Sequence, residues 1–465
     1  MSIAITDDHR ALAGTASDFL TKHGARAAAR ALLEAPEEGL PPFWDDIRSV
    51  GWLGLHIPEE HGGSGYGLPE LVVVVEELGR AVTPGPFVPS VMASAILAAA
   101  APADVQARYL PGLADGTTIG AVALGGDVEL RDGKAHGKAG AVLGGGLASV
   151  LLVPVGDDVA VIDTDGGGVS VDVPTNLDPT RRAARVTLEG APATMLAGAR
   201  QALVDLSRLI LSAEAVGVAR ETTESAAEYA KVRQQFGRPI AMYQAVKHHC
   251  ANMLVAVELA TAAVWDAARA AATGGDQLSY TAAIAATLAI PAADLDAQLN
   301  IQVHGGIGFT WEHDAHLYLR RASALGAIVD VGEAATDVTD LTRKGVRREK
   351  SVDLPPEAEP IRDQVRAFVA EIKDLDADAQ KARLIESGYV MPHWPEPYGR
   401  DAGASRWRRC STPRSRRPTW STWPARVSAA SAPSTCRPRP SRCATRSGRS
   451  PSRSRTSTPR PSATS

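Results

Sequence analysis

From residue 198 to 345 the chain reads as helix in stretches of 25 residues or more, carrying apolar stripes. One interruption stands out, RQQFGRPIAMYQAVK at 233–247. Glycine costs a helix interior about 1 kcal/mol and proline about 3 kcal/mol relative to alanine. Helices of that length bury their stripes by lying side by side, which predicts an antiparallel four-helix bundle over 198–345. Gly237 and Pro239 then mark a corner, with the next helix beginning near Ala241.

The pattern ahead of the bundle is different. Residues 6–35 read as a helix entered through Thr6-Asp7-Asp8, with acids favoured in the first turn. LPELVVVVEELGRAV and residues 87–113 continue in helix. From about 117 to 195 short β-rich runs take over, among them VELRDGKAHG, ASVLLVPV and DVAVIDTDG, with Asp132-Gly133 and Gly166–Gly168 supplying turns. The expected order is an N-terminal helical domain (1–116), an antiparallel β-barrel or sandwich (117–197) and the C-terminal bundle (198–345). The whole is mainly α with a small β domain.

Past a linker at 346–356 that closes on Leu354-Pro355-Pro356, the chain starts again. SVGWLGLHIPEEHGG (49–63) aligns with ESGYVMPHWPEPYGR (386–400). Gly51 pairs with Gly388, Trp52 with Tyr389, Pro58 with Pro395, Glu59 with Glu396 and Gly62 with Gly399. Upstream, Leu12, Ala16 and Phe19 match Ile361, Val365 and Phe368. Residues 357–404 thus read as the start of a second N-terminal helical domain, in tandem with the first.

The last 61 residues, 405–465, break off from everything before them. Of these, 47 are Ser, Arg, Pro or Thr, and Leu, Ile, Met and Phe are absent, so the expectation is disorder. The abrupt change inside a repeat suggests out-of-frame translation, with a basic nucleic-acid-binding arm as the remote alternative. The segment holds 15 arginines and no lysine, aspartate or glutamate, so 34 basic residues face 53 acidic ones in the rest. That body is acidic and carries only Cys250, which fits a reducing cytoplasm rather than a disulfide framework. No export signal and no uninterrupted run of about 18 apolar residues is visible, so neither export nor a membrane span is expected.

Three motifs stand in one order: PEEHGGSG with EELGRA (58–65, 76–81), RQQFGRPI followed by Gln244 (233–244), and QVHGGIGFTWE (302–312). Together, around a β domain, they resemble the acyl-CoA dehydrogenase family over residues 1–345, and again over 357–404. The double arrangement looks like the tandem acyl-CoA dehydrogenases of actinobacteria, several of which shorten steroid side chains. The resemblance implies an acyl-CoA substrate, FAD, and an electron-transfer flavoprotein or similar acceptor. It also implies a second copy or subunit, because the family binds FAD at a dimer interface. In that family a carboxylate takes the α-proton of the thioester while the β-hydride passes to the flavin. Carried over residue by residue, Arg233 pairs with the pyrophosphate and Gln244 contacts the cofactor. Gln302, Val303, His304, Gly305 and Gly306 approach the adenine end, where glycines permit close backbone contact. Asp205 and Arg208 match a stretch that touches substrate, and Gln235 and Phe236 read as turn packing. The histidines, including His248-His249, lack a carboxylate or cysteine cluster and suggest no metal.

Two departures qualify the resemblance. The family's catalytic glutamate aligns here near Val329, and the minority position on the earlier helix holds Ser207. Asp330 and Glu333 are the neighbouring carboxylates and the weak candidates for a base. The flavin cradle, in the family a Thr-Glu segment leading to Gly-Ser-Asp and later a Trp, reads here TTIGAVALGGD and KAGAVLGGG. The first copy therefore reads as keeping the adenine-end half of an FAD site and lacking the ring-end half. A non-catalytic scaffold of the same fold is the alternative.

Overall fold

A computed structural model describes residues 5–348, 359–391, 394, 398 and 399. The described residues fall into two units, one within 1–355 and one within 356–465. The predicted Leu354–Pro356 linker, Pro395, Glu396 and the 405–465 tail lie outside the described residues.

In the first unit six helices come first: α1 (Asp7–Lys22), α2 (Ala25–Ala31), α3 (Trp44–Ser49), α4 (Leu68–Arg80), α5 (Phe87–Ala100) and α6 (Ala103–Asp115). Thr6 caps α1, its Oγ1 accepting from the His9 amide at 3.2 Å. The single helix expected over 6–35 is broken after Lys22, because Gly24 takes φ 62°. Likewise 87–113 is two helices, parted at Ala101-Pro102, where a proline removes an amide donor.

Eight strands follow: β1 (Gly120–Ala123), β2 (Gly126–Arg131), β3 (Lys134–Leu143), β4 (Val150–Val155), β5 (Asp158–Asp163), β6 (Val169–Asp172), β7 (Ala183–Pro192) and β8 (Thr194–Leu196). They pair in the order β6-β7-β3-β1-β4-β5-β8, with β2 on β3. The all-antiparallel expectation needs correction, because β1 and β4 run parallel, Gly120 opposite Val150. The reason is the connection. β3 returns antiparallel on one side of β1, and the turn at 144–149 crosses to its other side, so β4 leaves in the direction of β1. The path also stays open among the described residues, so the domain is a mixed sheet rather than a closed barrel.

The bundle is α7 (Arg200–Val232), then β9 (Gln234–Gln235), β10 (Arg238–Pro239), α8 (Gln244–Ala270), α9 (Gly275–His304), α10 (Ala315–Ile328) and α11 (Val331–Arg343). By length and composition α8 and α9 match helices that cross membranes, which the sequence reading did not foresee. Here they pack against each other and α7, with 44% and 61% of their apolar windows buried. The break at 233–239 is a miniature β-hairpin, Pro239 opposite Gln234, turning on Phe236 (φ 52°) and Gly237 (φ 78°). Positive φ at both central residues is the requirement of a tight two-residue hairpin, which a continuous helix cannot meet. Phe236 is 92% exposed and packs in the turn only edge-on against Tyr243, ring centroids 6.3 Å apart, while the Tyr243 hydroxyl donates to the Gln235 carbonyl at 3.0 Å.

One core joins helical layer, sheet and bundle. Where α4 crosses α7 the two backbones touch: a Cβ on Gly217 would lie 2.0 Å from the Glu76 carbonyl oxygen. The second unit contains α12 (Glu359–Ile372) and α13 (Ala377–Glu386). Its local geometry repeats that of the first. Gly51 and Gly388 follow helices at φ 74° and 72°. Phe19 meets Trp52 with ring centroids 4.9 Å apart, and Phe368 meets Tyr389 at 4.6 Å. The Ile57 amide donates to Gly54 as the Trp394 amide donates to Met391.

Candidate functional site

The C-terminal ends of α7 and α9, the hairpin and the first turn of α8 meet at one end of the bundle. They are held by a small cluster of Ala226, Ala230, Met253 and Val303. Arg233 ends α7, and its carbonyl accepts from the Ile240 amide at 2.8 Å. Gln244 opens α8, its Nε2 2.9 Å from His248 Nε2. Gly305 takes φ 61° as α9 stops. Arg233, Gln244, Gln302, Gly305 and Gly306 are all exposed on this end. Val303 and His304 are turned inward, 6% and 5% exposed. The His304 ring is stacked against Tyr229 and tilted against His313, centroids 4.3 and 4.4 Å away, and burial holds its imidazole below the usual range. Five of the seven expected cofactor contacts are therefore exposed at this end of the bundle, and two are buried there. An exposed guanidinium and the amides at the start of α8 are groups of the kind that suit a pyrophosphate.

The segments that the resemblance assigns to the flavin-ring end border a cavity of about 320 Å³, lined by Leu124–Gly126, Gly140-Ala141, Arg208 and Val329-Asp330 among others. Its β-domain wall is backbone against backbone: Gly140 N donates to Gly125 O at 2.8 Å, and a Cβ on Gly140 would lie 2.9 Å from that oxygen. No hydroxyl or carboxyl of the β domain borders it. Val329 is a core residue at 2% exposure. Asp330 caps α11, its Oδ1 accepting from the Glu333 amide at 2.9 Å. Arg208, 3% exposed, reaches Asp337 at 2.6 Å and Glu333 at 3.4 Å. Both candidate bases thus have structural partners. Ser207 Oγ is buried and bonded to nothing among the described residues. This end does not fit the family's flavin cradle: its β-domain wall carries no hydroxyl or carboxyl, and the carboxylates beside it have structural partners.

A larger cavity, about 890 Å³, opens between the N-terminal helices and the bundle. Asp205 lines it, whereas Arg208, the other expected substrate contact, borders the smaller cavity. Asp205 Oδ1 accepts from Gln201 Nε2 at 2.9 Å and Oδ2 from Ser279 Oγ at 2.6 Å. Burial pushes its carboxyl up to about 6 against those hydrogen bonds. His56 also lines the chamber, 3.0 Å from Ser94 Oγ, and burial pushes its imidazole down to about 4. At the rim His9 Nε2 lies 3.1 Å from Glu70 and its ring stands edge-on to Trp265 at 5.1 Å. Sequence reasoning missed Gln201, Ser279 and His56. The Gln201/Asp205 spacing of four was a readable helix pair; Ser279 and His56 come from remote segments and left no signal.

Residues 6–117 match the acyl-CoA dehydrogenase N-terminal domain and residues 197–328 the acyl-CoA dehydrogenase C-terminal domain. The chain is 40% identical to acyl-CoA dehydrogenase FadE34 of Mycobacterium tuberculosis over 414 residues, covering 86% of this chain and 57% of FadE34. It thus spans little more than half the length of that relative. Acyl-CoA dehydrogenase IpdE2 of the same organism is 35% identical over 326 residues, 70% of this chain and 93% of IpdE2. Among solved structures, a Tcur3481-Tcur3483 steroid ACAD superposes with a TM-score of 0.67 at 27% identity, over 73% of this chain and 98% of that one. The ChsE4-ChsE5 complex from M. tuberculosis gives 0.68 at 25% identity, over 75% and 100%. Fold, motifs and relatives agree, and the chain belongs to the acyl-CoA dehydrogenase family, whose members are normally FAD-dependent.

Proposed function

We propose that this chain forms one side of an FAD-dependent acyl-CoA dehydrogenase. It holds the adenine and pyrophosphate end through Arg233, Gln244, Gln302, Gly305 and Gly306, with Val303 and His304 beneath. A second acyl-CoA dehydrogenase copy supplies the ring-end cradle and the base. The observation that carries this is the asymmetry of the chain's own halves: an open motif face at one end, and at the other a glycine-zipped cavity whose carboxylates are a helix cap and an ion-pair partner. When bound, FAD accepts the β-hydride of the acyl thioester. The residues here hold its far end and shape the substrate's surroundings.

Further support comes from the exposed apolar side chains Val255 and Leu259 on α8 and Leu288 and Leu295 on α9, a face suited to a partner bundle. The repeated geometry of Phe368, Gly388 and Tyr389 favours a second copy within the same polypeptide, as in a tandem arrangement. A bulky acyl group, such as a steroid side-chain thioester, accords with the 890 Å³ chamber and with the steroid ACAD relative. The electron acceptor in this reading is an electron-transfer flavoprotein or similar protein. The chain purified alone is expected to be colourless, with no flavin band, and to reduce no artificial acceptor with any acyl-CoA. A yellow, active preparation would overturn the shared-site reading and return Asp330 or Glu333 as the base. A non-catalytic scaffold would stay colourless even when a flavin-competent copy is added, and that mixture separates the two readings.

A further inference from the structure

The larger cavity has alanines on two walls, polar groups including His9, Glu70 and Arg269 elsewhere in its lining, and one buried carboxylate. Ala95, Ala98 and Ala99 of α5 face Ala268, Ala271 and Ala272 at the end of α8. Asp205, 3% exposed, sits among them with Gln201 and Ser279, which line the cavity too. An ionised carboxyl has about four acceptor positions, and these two donors occupy one on each oxygen. No cation is bonded to it, since the Arg208 guanidinium turns to Glu333 and Asp337 instead. Tying α7 to α9 does not require a charge here, because an amide in its place would bond Ser279 without the cost of burying a carboxylate. The acceptor positions that Gln201 and Ser279 leave open are available to a ligand. At about 890 Å³ the chamber is at the upper end of the roughly 300–1,000 Å³ range of small-molecule pockets.

We infer that this cavity binds a largely apolar, drug-sized molecule bearing a hydroxyl, and that Asp205, oriented by Gln201 and Ser279, accepts a hydrogen bond from that hydroxyl. The alanine walls admit a wide body, and the carboxylate selects among bodies of equal size. This deepens the acyl-chamber reading and rests on it only for which molecule arrives in the cell.

The test uses the whole chain without CoA, flavin or turnover, so failure of the catalytic reading leaves it decisive. Two probes share one fused-ring body and differ by one group: 5α-androstan-3β-ol and 5α-androstane. Titration calorimetry is expected to show the alcohol binding about tenfold to a hundredfold more tightly, with 1.4 kcal/mol per decade. Both probes should change Trp265 emission, a signal lost in Trp265→Phe while the heat of binding remains. In Asp205→Asn the preference should fall, and in Asp205→Leu it should vanish while the hydrocarbon binds at least as well as before. The comparison of probes on the unaltered chain stands even if a variant does not fold. Equal affinities for the two probes would sink the inference, as would a preference that survives Asp205→Leu. Failure of either probe to bind up to its solubility limit would sink it as well.

Discussion

Arg321 has no exposed surface, and its guanidinium is used on every side. It reaches Asp178 at 2.6 Å, Glu214 at 2.5 Å and Thr180 Oγ1 at 2.7 Å, while Arg181 reaches the other Glu214 oxygen at 2.6 Å. Two arginines and two acids thus form a neutral knot joining the β domain to the bundle. Burial alone would raise both carboxyls, but the Arg321 and Arg181 guanidiniums outweigh it and hold them below the usual range. The folded values lie below the unfolded ones near 4. Stability from this knot is therefore present above about pH 4 and lost as pH falls through the folded values. Removing one member of a buried pair costs about 3–5 kcal/mol, so Arg321→Met should destabilise by that order at pH 7. With its partner gone, burial raises the Asp178 carboxyl above its unfolded value, so the variant gains stability on acidification from pH 7 to pH 4, a window in which the parent's knot stays intact. Denaturant unfolding from pH 7 to pH 4 should show the deficit shrinking; a deficit independent of pH would mean the knot contributes packing, not charge pairing.

Elements differ in how much of themselves they write into sequence. The long helices, the Thr6 cap and the switch to strands at 120 were legible because period and cap chemistry are local. The parallel β1–β4 pairing was not, because alternation along a strand says nothing of its partner or direction. At 233–239 the breakers were plain, yet strands of two residues have no period, so a corner was expected where a hairpin stands. The residues proposed for the adenine end come from resemblance, but the stacking of His304 inward depends on Tyr229 and His313 from other segments. Two glycines test this distinction between local and tertiary demands. A Cβ at Gly237 meets nothing within 4 Å, so Gly237→Ala pays only for its φ of 78°, about 1 kcal/mol. Gly217→Ala has an ordinary helical backbone and a carbonyl 2.0 Å from the new Cβ, so α4 and α7 must separate. It should cost more than 3 kcal/mol, in the range of severe core disruption. Thermal unfolding of both variants checks the order, and equal losses would contradict the close crossing.

At the scale of the whole molecule the same bundle that exposes the motif face also exposes an apolar one. Val255 and Leu259 are 58% and 55% exposed on α8, and Leu288 and Leu295 are 38% and 45% exposed on α9. Single exposed apolar side chains need no explanation, but a stripe on adjacent helices marks an interaction surface. If a second bundle covers it, association and cofactor retention are one event in the proposed shared site, which puts the ring end of FAD in the other copy. Val255→Asp with Leu259→Asp places two charges on that face while touching nothing in this chain's core. Exposed substitutions shift stability by about 0.5 kcal/mol or less, so the isolated chain should unfold at nearly the parent temperature. Mixed with a flavin-competent copy, the parent should sediment as a two-copy species and hold flavin, and the double variant should lose both together. Arg233→Ala makes the complementary separation. It removes a charge-assisted hydrogen bond of about 1.5–3 kcal/mol, so FAD retention should fall by about one to two decades while the two copies stay associated. If the double variant keeps its partner, the face belongs to another contact. If Arg233→Ala dissociates the copies without weakening FAD on those that remain paired, the arginine serves the interface and the pyrophosphate contact lies elsewhere on the bundle end.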